Sequence, residues 1–339
     1  MPARSSIRHG RPRPVGATGA FELGDFDAIQ ELAPDWAMRH TQIGRGKARA
    51  RILLANTGRM LAIVASRSPG FLEVGTPPPG MCLLSLPIRA TAIQGQGYAW
   101  ENDAVAFVPD GAEYELLSSG PSVVVSLCVE RSRLDEQSLE RWGQPFASSP
   151  ASPYLVFRGE KSRRNFVAIF SRWMAAARRR PEFLVDPATA DRMESEVLDA
   201  ILGGVEQEFR VPPVRPYRTL ARRAESVIRQ SLEETITIRD ICRATGASAR
   251  SVHASFRSIY GMSPMAYRKA LRLSRARQDL LVANRGTTVS QVAAKWGFFR
   301  FGYFSIDYRG SFGENPSATL HRTLGGGEGI ASSARGRRR

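Results

Sequence analysis

The sequence predicts an α+β chain in two parts: an N-terminal β-barrel carrying amphipathic helices, then an all-α segment built from two helix-turn-helix units. Three observations predict it. Short apolar runs broken by turn residues fill Thr41 to Val129, apolar residues recur at helical spacing after Glu160, and one ten-residue block returns fifty-one positions later. With 339 residues and 42% hydrophobic content, the chain has enough apolar surface for two or three domains.

Residues 1–22 are basic and interrupted by Pro and Gly, with no apolar h-region, which predicts a disordered arm and not a signal or transit peptide. Residues 23–210 make the first domain. Its expected strands are Ala50–Leu54, Met60–Ala65, Cys82–Ile88, Val105–Val108, Tyr114–Leu117 and Val123–Val129, separated by turns such as Asn56-Thr57-Gly58 and Pro109-Asp110-Gly111. Many short strands at this spacing fit a small barrel or a sandwich. Two helices follow. One carries Phe166, Ile169, Phe170, Trp173 and Met174, and the other Met193, Val197, Leu198, Ile201, Leu202 and Val205, with Asp186 as N-cap and Pro187 at N1. Their stripes either pack on the strands or form a homodimer seam, and both uses are compatible.

Residues 211–217 hold three prolines and read as an extended linker. Residues 218–324 form the second domain and 325–339 a disordered basic tail. From Arg218 to Arg322 eighteen Lys and Arg face seven acids, so eleven of the sixteen net positive charges belong to this segment. Such an excess fits a polyanionic partner. The longest apolar stretches, near Met60–Ala65 and Val123–Val129, are far short of the roughly 20 residues that cross a bilayer, so no membrane partner is expected. Cys82, Cys128 and Cys242 form no CxxC pair, and His9, His40, His253 and His321 lie at no metal-ligand spacing. The expectation is a cytoplasmic protein without a metal or another cofactor.

The repeat carries the functional argument. Thr237-Ile-Arg-Asp-Ile-Cys-Arg-Ala-Thr-Gly246 is echoed by Thr288-Val-Ser-Gln-Val-Ala-Ala-Lys-Trp-Gly297, apolar for apolar and Gly for Gly. Thr237 with Asp240, and Thr288 with Gln291, have capping-box spacing, and each copy closes on a Gly suited to the left-handed conformation. Phe256-Arg-Ser-Ile-Tyr-Gly-Met-Ser-Pro264 returns as Tyr308-Arg-Gly-Ser-Phe-Gly-Glu-Asn-Pro316. A helix, a turn and a second helix thus occur twice. Between the copies a helix from Ser263-Pro264 to about Ala283 would make a rod of about 30 Å, close to one turn of B-DNA at about 34 Å.

This segment resembles the AraC-type family of transcription regulators. Ile241, Gly246, Ser248, Phe256, Gly261 and Ser263-Pro264 carry the likeness in the first unit, with Arg272, Leu273, Ala276-Arg277 and Leu280 in the connecting helix. Val292-Ala293, Gly297-Phe298, Tyr303-Phe304, Phe312-Gly313 and Pro316 carry it in the second. The block Trp296–Ser317 with Leu320-His321 is further similar to regulators of ethanolamine-utilisation operons, a narrower likeness that transfers no ligand. The resemblance implies a seven-helix domain on double-stranded promoter DNA, activation more often than repression, and RNA polymerase as a partner. It also implies a cupin-like first domain that binds a small effector and often mediates dimerisation.

Spacing leaves Arg250, Ser251, His253, Ala254 and Arg257 facing outward from the second helix of the first unit. The family pattern places Arg250, His253 and Ala254 at base edges, where an arginine can bond guanine O6 and N7 together; phosphate contact is the alternative for Arg250 and His253. In the second unit Tyr303, Phe304 and Tyr308 are expected to pack, and Arg300, Phe301, Gly302, Ser305 and Arg309 to face the groove. Phe301 and Gly302 depart from the small polar residues common there. Phe301 either touches a thymine methyl or belongs to the core, and Arg300 bonds a phosphate, so this unit positions more than it specifies.

The metal-binding cupin signature, a HxH pair with a following Glu and a further His, is absent. Trp100, Tyr98, Tyr114, Glu113, Arg89 and Glu73 are candidates to line a ligand pocket, though each also suits an ordinary strand or turn, and the effector stays unknown. Two other classes are weighed against the regulator. A barrel-based enzyme would need clustered catalytic groups, and no nucleophile with a base or Gly-rich phosphate loop is visible. A non-specific nucleic-acid binder draws support from the Arg-rich ends, including Arg335, Arg337, Arg338 and Arg339.

Overall fold

The computed structural model describes residues 15–26, 28–33, 35–90, 93–95, 98–100, 104–146, 154–156, 160–204 and 216–325. Its contacts separate two units, one up to residue 213 without Thr41–Lys47 and one from residue 214 with that segment. The strands are β1 (Thr18–Leu23), β2 (Ala37–Gln42), β3 (Arg49–Asn56), β4 (Met60–Ser68), β5 (Phe71–Thr76), β6 (Met81–Ala90), β7 (Ile93–Gly95), β8 (Tyr98–Ala99), β9 (Ala104–Val108), β10 (Tyr114–Ser118), β11 (Ser122–Glu130) and β12 (Tyr154–Val156). Interspersed are the helices α1 (Ile29–Leu32), α2 (Arg131–Trp142), α3 (Glu160–Arg179) and α4 (Pro187–Leu202).

The sheets do not close into a barrel. One has the order β1-β3-β4-β11-β6-β9-β12 and the other β2-β5-β10-β7-β8, and among the described residues β1 pairs with β3 alone and β12 with β9 alone. The reason lies in strands that are apolar on both faces. Along β11, Val125, Leu127 and Val129 join one cluster with Phe166, Phe170 and Met174 of α3 and Val197, Leu198 and Ile201 of α4. The alternate Val124 packs with Ile52 and Leu54 of β3 and with Phe71, Ile93 and Leu116 of the five-stranded sheet. A strand buried on both sides requires a layer on each side, so the seven-stranded sheet lies between helices and a second sheet.

The expected helix start at Asp186-Pro187 is present, with the Asp186 carboxylate accepting from the Thr189 backbone N–H at 2.9 Å. The helical stripes face the sheet as far as Leu202, and Val205 lies outside the described residues. Three boundaries differ from expectation. Residues 18–22, expected in the disordered arm, belong to β1, whose register runs from Thr18 opposite Ala55 to Leu23 opposite Ala50, so the edge of β3 is covered. Residues 1–14 of that arm lie outside the described residues. Pro216 and Tyr217, expected in the linker, open α5, since proline at a first helical position loses no hydrogen bond; residues 211–215 lie outside the described residues. The tail from 326 does so too, and its first expected residue, Gly325, ends α11.

The second unit is helical, with α5 (Pro216–Gln230), α6 (Ile238–Thr245), α7 (Ala249–Tyr260), α8 (Pro264–Leu281), α9 (Val289–Lys295), α10 (Phe301–Phe312) and α11 (Pro316–Gly325). Each half has a carboxylate hub. Buried Glu225 of α5 accepts from Tyr260 Oη at 2.7 Å, Tyr267 Oη at 2.6 Å and Arg229 Nε at 2.7 Å. Burial alone would raise its pKa, but the Arg229 charge and the two phenols hold it below the ordinary carboxylate range. Glu314 accepts from Arg322, Thr319 and Arg277, foremost Arg322, and its pKa falls to about 2. On α8, Arg272 donates from Nε to Leu232 O and from Nη2 to Glu234 O, both at 2.6 Å, tying the α5–α6 connection to the long helix.

Candidate nucleic-acid interface

Both helix-turn-helix copies start with the capping box read from the sequence. The Thr237 N–H donates to Asp240 Oδ2 at 2.8 Å and the Thr288 N–H to Gln291 Oε1 at 3.0 Å, while each threonine hydroxyl accepts from the backbone N–H three residues on. The α6–α7 turn passes through Gly246 at φ 66°, a left-handed conformation that a β-carbon disfavours. Gly297 takes φ 74° at the matching point of the second copy, directly against the Arg272 guanidinium.

Ser248 caps α7 by accepting from the Ser251 N–H at 3.1 Å. Val252, Phe256, Ile259 and Tyr260 are buried, which turns Arg250, Ala254 and Arg257 outward and leaves Ser251 and His253 half-buried. The Ser251 hydroxyl shares a hydrogen bond with that of Ser248 at 2.9 Å. Of the five residues expected on this face, three are thus exposed and two half-buried.

The second copy differs. Arg300 stands at the N-cap of α10 without a side-chain capping bond, its guanidinium 6.0 Å from the Tyr303 ring centroid. Phe304, Tyr308 and Phe312 are buried. Tyr303, expected to pack, is 64% exposed, because the buried face repeats at 304, 308 and 312 and position 303 falls beside it. Phe301 is 45% exposed and so is not a core residue. Gly302 and Arg309 are exposed, and Ser305 is half-buried with its hydroxyl donating to Phe301 O at 3.0 Å. Sequence reasoning missed Ile306, 69% exposed, and Phe299, 73% exposed. Their signal was an apolar residue out of phase with the buried stripe.

In the sheet-rich unit, a cavity of about 80 Å³ lies between the inner faces of the two sheets. Of the six residues expected to line a pocket, Trp100, Tyr114 and Glu73 do so. Glu113, just before β10, and Arg89, near the end of β6, are exposed instead, and the Tyr98 side chain lies outside the described residues. The sequence reading missed Arg67 and His40. Arg67 Nη1 donates to Glu73 Oε2, His40 Nε2 lies 3.1 Å from the same oxygen, and Tyr114 Oη donates to Glu73 Oε1 at 2.6 Å. Burial would raise the Glu73 pKa, yet the Arg67 charge and then His40 drive it far below the usual range, while burial and Glu73 push the Tyr114 phenol up. Among the described residues no group of three or more His, Cys, Asp or Glu is placed to hold a metal, and no helix is long and apolar enough to cross a membrane.

Residues 241–322 match the family model of a helix-turn-helix domain. The chain is 25% identical over 257 residues to a probable thc operon regulatory protein of Rhodococcus erythropolis, covering 70% of this chain and 74% of that one. It is 32% identical over 101 residues to the XylDLEGF operon transcriptional activator 3 of Pseudomonas putida, 30% of each chain, so it spans under a third of that relative. Among solved structures, a probable AraC family transcriptional regulator from Rhodopseudomonas palustris CGA009 is 38% identical, covering 31% of this chain and 98% of that one with a TM-score of 0.30.

Proposed function

The chain belongs to the AraC family of transcription regulators, and we propose that it binds specific promoter sites as an activator under the control of a small molecule sensed by the sheet-rich unit. One observation carries the DNA-binding half: two capped helix-turn-helix copies present outward faces within the segment that holds most of the net charge. Arg250, Ser251, His253, Ala254 and Arg257 form the first reading surface, and Arg300, Phe301, Gly302, Ser305 and Arg309 the second. The α8 rod of 18 residues, about 27 Å long, suits two entries into successive major-groove segments. The protein acts by binding in the cytoplasm, not by catalysis. RNA polymerase and a second copy of the chain are its further partners. The cavity supports the sensing role, and the likeness of the second copy to ethanolamine-operon regulators makes ethanolamine one compound to screen.

A footprint on the DNA flanking its own coding region, at physiological salt with excess competitor DNA, tests this reading. Discrete protected sites are expected. Uniform coverage that fades as salt rises would favour a non-specific binder, in which basic residues act through counterion release. Removing residues 325–339 is expected to lower the salt slope and leave site preference intact.

A further inference from the structure

The cavity between the sheets has a chemistry that narrows its ligand. Its walls are mainly apolar, from Trp36, Ile52, Leu54, Ile63, Phe107 and Leu116, and its charged groups at one end offset each other. Arg67 and Glu73 are both more than nine-tenths buried and hydrogen-bonded together, with the Arg67 guanidinium 4.2 Å from the Phe71 ring centroid. The Glu73 carboxylate is occupied by Arg67, His40 and Tyr114. Arg67 Nε, by contrast, is buried without a hydrogen-bond partner among the described residues. Glu115 also borders the cavity, but strand alternation from Tyr114 and Leu116 turns its side chain to the other face of β10.

A buried N–H without an acceptor is costly, and water or a ligand oxygen relieves it. An added charge in this apolar enclosure has no free counter-charge, because the carboxylate is already saturated. Further along, on β6 and β11, Ser85 and Ser126 share one hydrogen bond at 2.9 Å, so their two hydroxyls retain one O–H to donate. Ser126 lies opposite Ile63, four residues from Arg67, or roughly 13 Å along the strand. We propose that the cavity binds an uncharged, largely apolar molecule whose carbonyl-type oxygen accepts from Arg67 Nε–H. The assignment rests on the sensing role proposed above and excludes ethanolamine, a cation at neutral pH, from this cavity.

Trp36 and Trp100 border the cavity, so their fluorescence reports occupancy in the full chain without DNA. Acetophenone, ethylbenzene, benzoate and phenethylamine share an aromatic body and differ at the polar end. Acetophenone is expected to bind about tenfold more tightly than ethylbenzene, and more tightly than either charged compound. The double variant Arg67→Met with Glu73→Gln removes both charges together, avoids stranding one, and is expected to bind acetophenone and ethylbenzene alike. Ala65→Leu, which fills space in the cavity wall, is expected to weaken all four. Equal binding of ethylbenzene by the unaltered chain, preference for benzoate or phenethylamine, or no binding of any probe at millimolar concentration would overturn the assignment. Acetophenone binding that leaves DNA affinity unchanged would remove the sensing role and leave the site standing.

Discussion

The two helix-turn-helix copies share capping boxes and turn glycines, yet they present opposite chemistry at their second helices. The first shows Arg250, His253 and Arg257 outward from a helix capped by Ser248. The second shows Phe299, Phe301, Tyr303 and Ile306 around a helix whose N-cap, Arg300, makes no side-chain capping bond. A duplicated backbone plan therefore supports two different surfaces, because capping and burial constrain one face of each helix and leave the other face to vary. The first surface offers hydrogen-bonding groups, the second mainly apolar ones with Arg300 and Arg309 beside them.

The largest test of the comparison concerns the hubs beneath those surfaces. Glu225→Ala strands Arg229 and two buried phenols, and a loss of about 3–5 kcal/mol is expected in denaturant unfolding of the full chain. Glu314→Ala, which removes the partner of buried Arg277 and of the more exposed Arg322, is expected to cost about 1–3 kcal/mol. Both carboxylates have depressed pKa values, so their stabilisation is present at neutral pH and is lost on acidification. For Glu314 the loss runs from the ordinary 4.5 down through about 2.

Next come the turn glycines. Gly246→Ala meets open space and is expected to cost about 1 kcal/mol for its left-handed backbone. Gly297→Ala adds a β-carbon 2.6 Å from Arg272 Nη1, and Arg272 is anchored to Leu232 and Glu234, so about 2–3 kcal/mol is expected. Equal costs would mean that Arg272 moves aside freely.

On a footprinted site, Arg250→Ala is expected to lose about 1–3 kcal/mol and relax preference at one base pair. A uniform loss over all sequences would make Arg250 a phosphate contact. The smallest effect belongs to Phe301: replacing thymine by uracil at its contact should cost about 0.8 kcal/mol, the burial of one methyl. Phe301→Ala should abolish that sensitivity, and a response unchanged by the substitution would place the methyl contact elsewhere.

Much of the helical unit was legible because its signals are local. A threonine three residues before Asp240 or Gln291, a glycine at each turn and a stripe at helical spacing all act within a few residues. Helix α2 was not legible, since of its twelve residues Leu134 is the buried apolar one while Arg133, Gln137 and Ser138 are buried through hydrogen bonds to partners distant in sequence or in the preceding turn. The pocket was half legible: Glu73, Tyr114 and Trp100 were candidates by type, but nothing local in the sequence set Arg67 and His40 apart.

By itself the sequence determined the α+β order, the duplicated motif, its caps and the placement of the charge, because these follow from chain-local periodicity and composition. Only the tertiary structure decided that the strands stack as two sheets instead of closing, that Tyr303 and Ile306 face outward, and that Arg67 meets Glu73 within a cavity. Those outcomes depend on which distant strands pair and which face a neighbouring layer covers, and strand alternation offers two faces without naming the one that is covered.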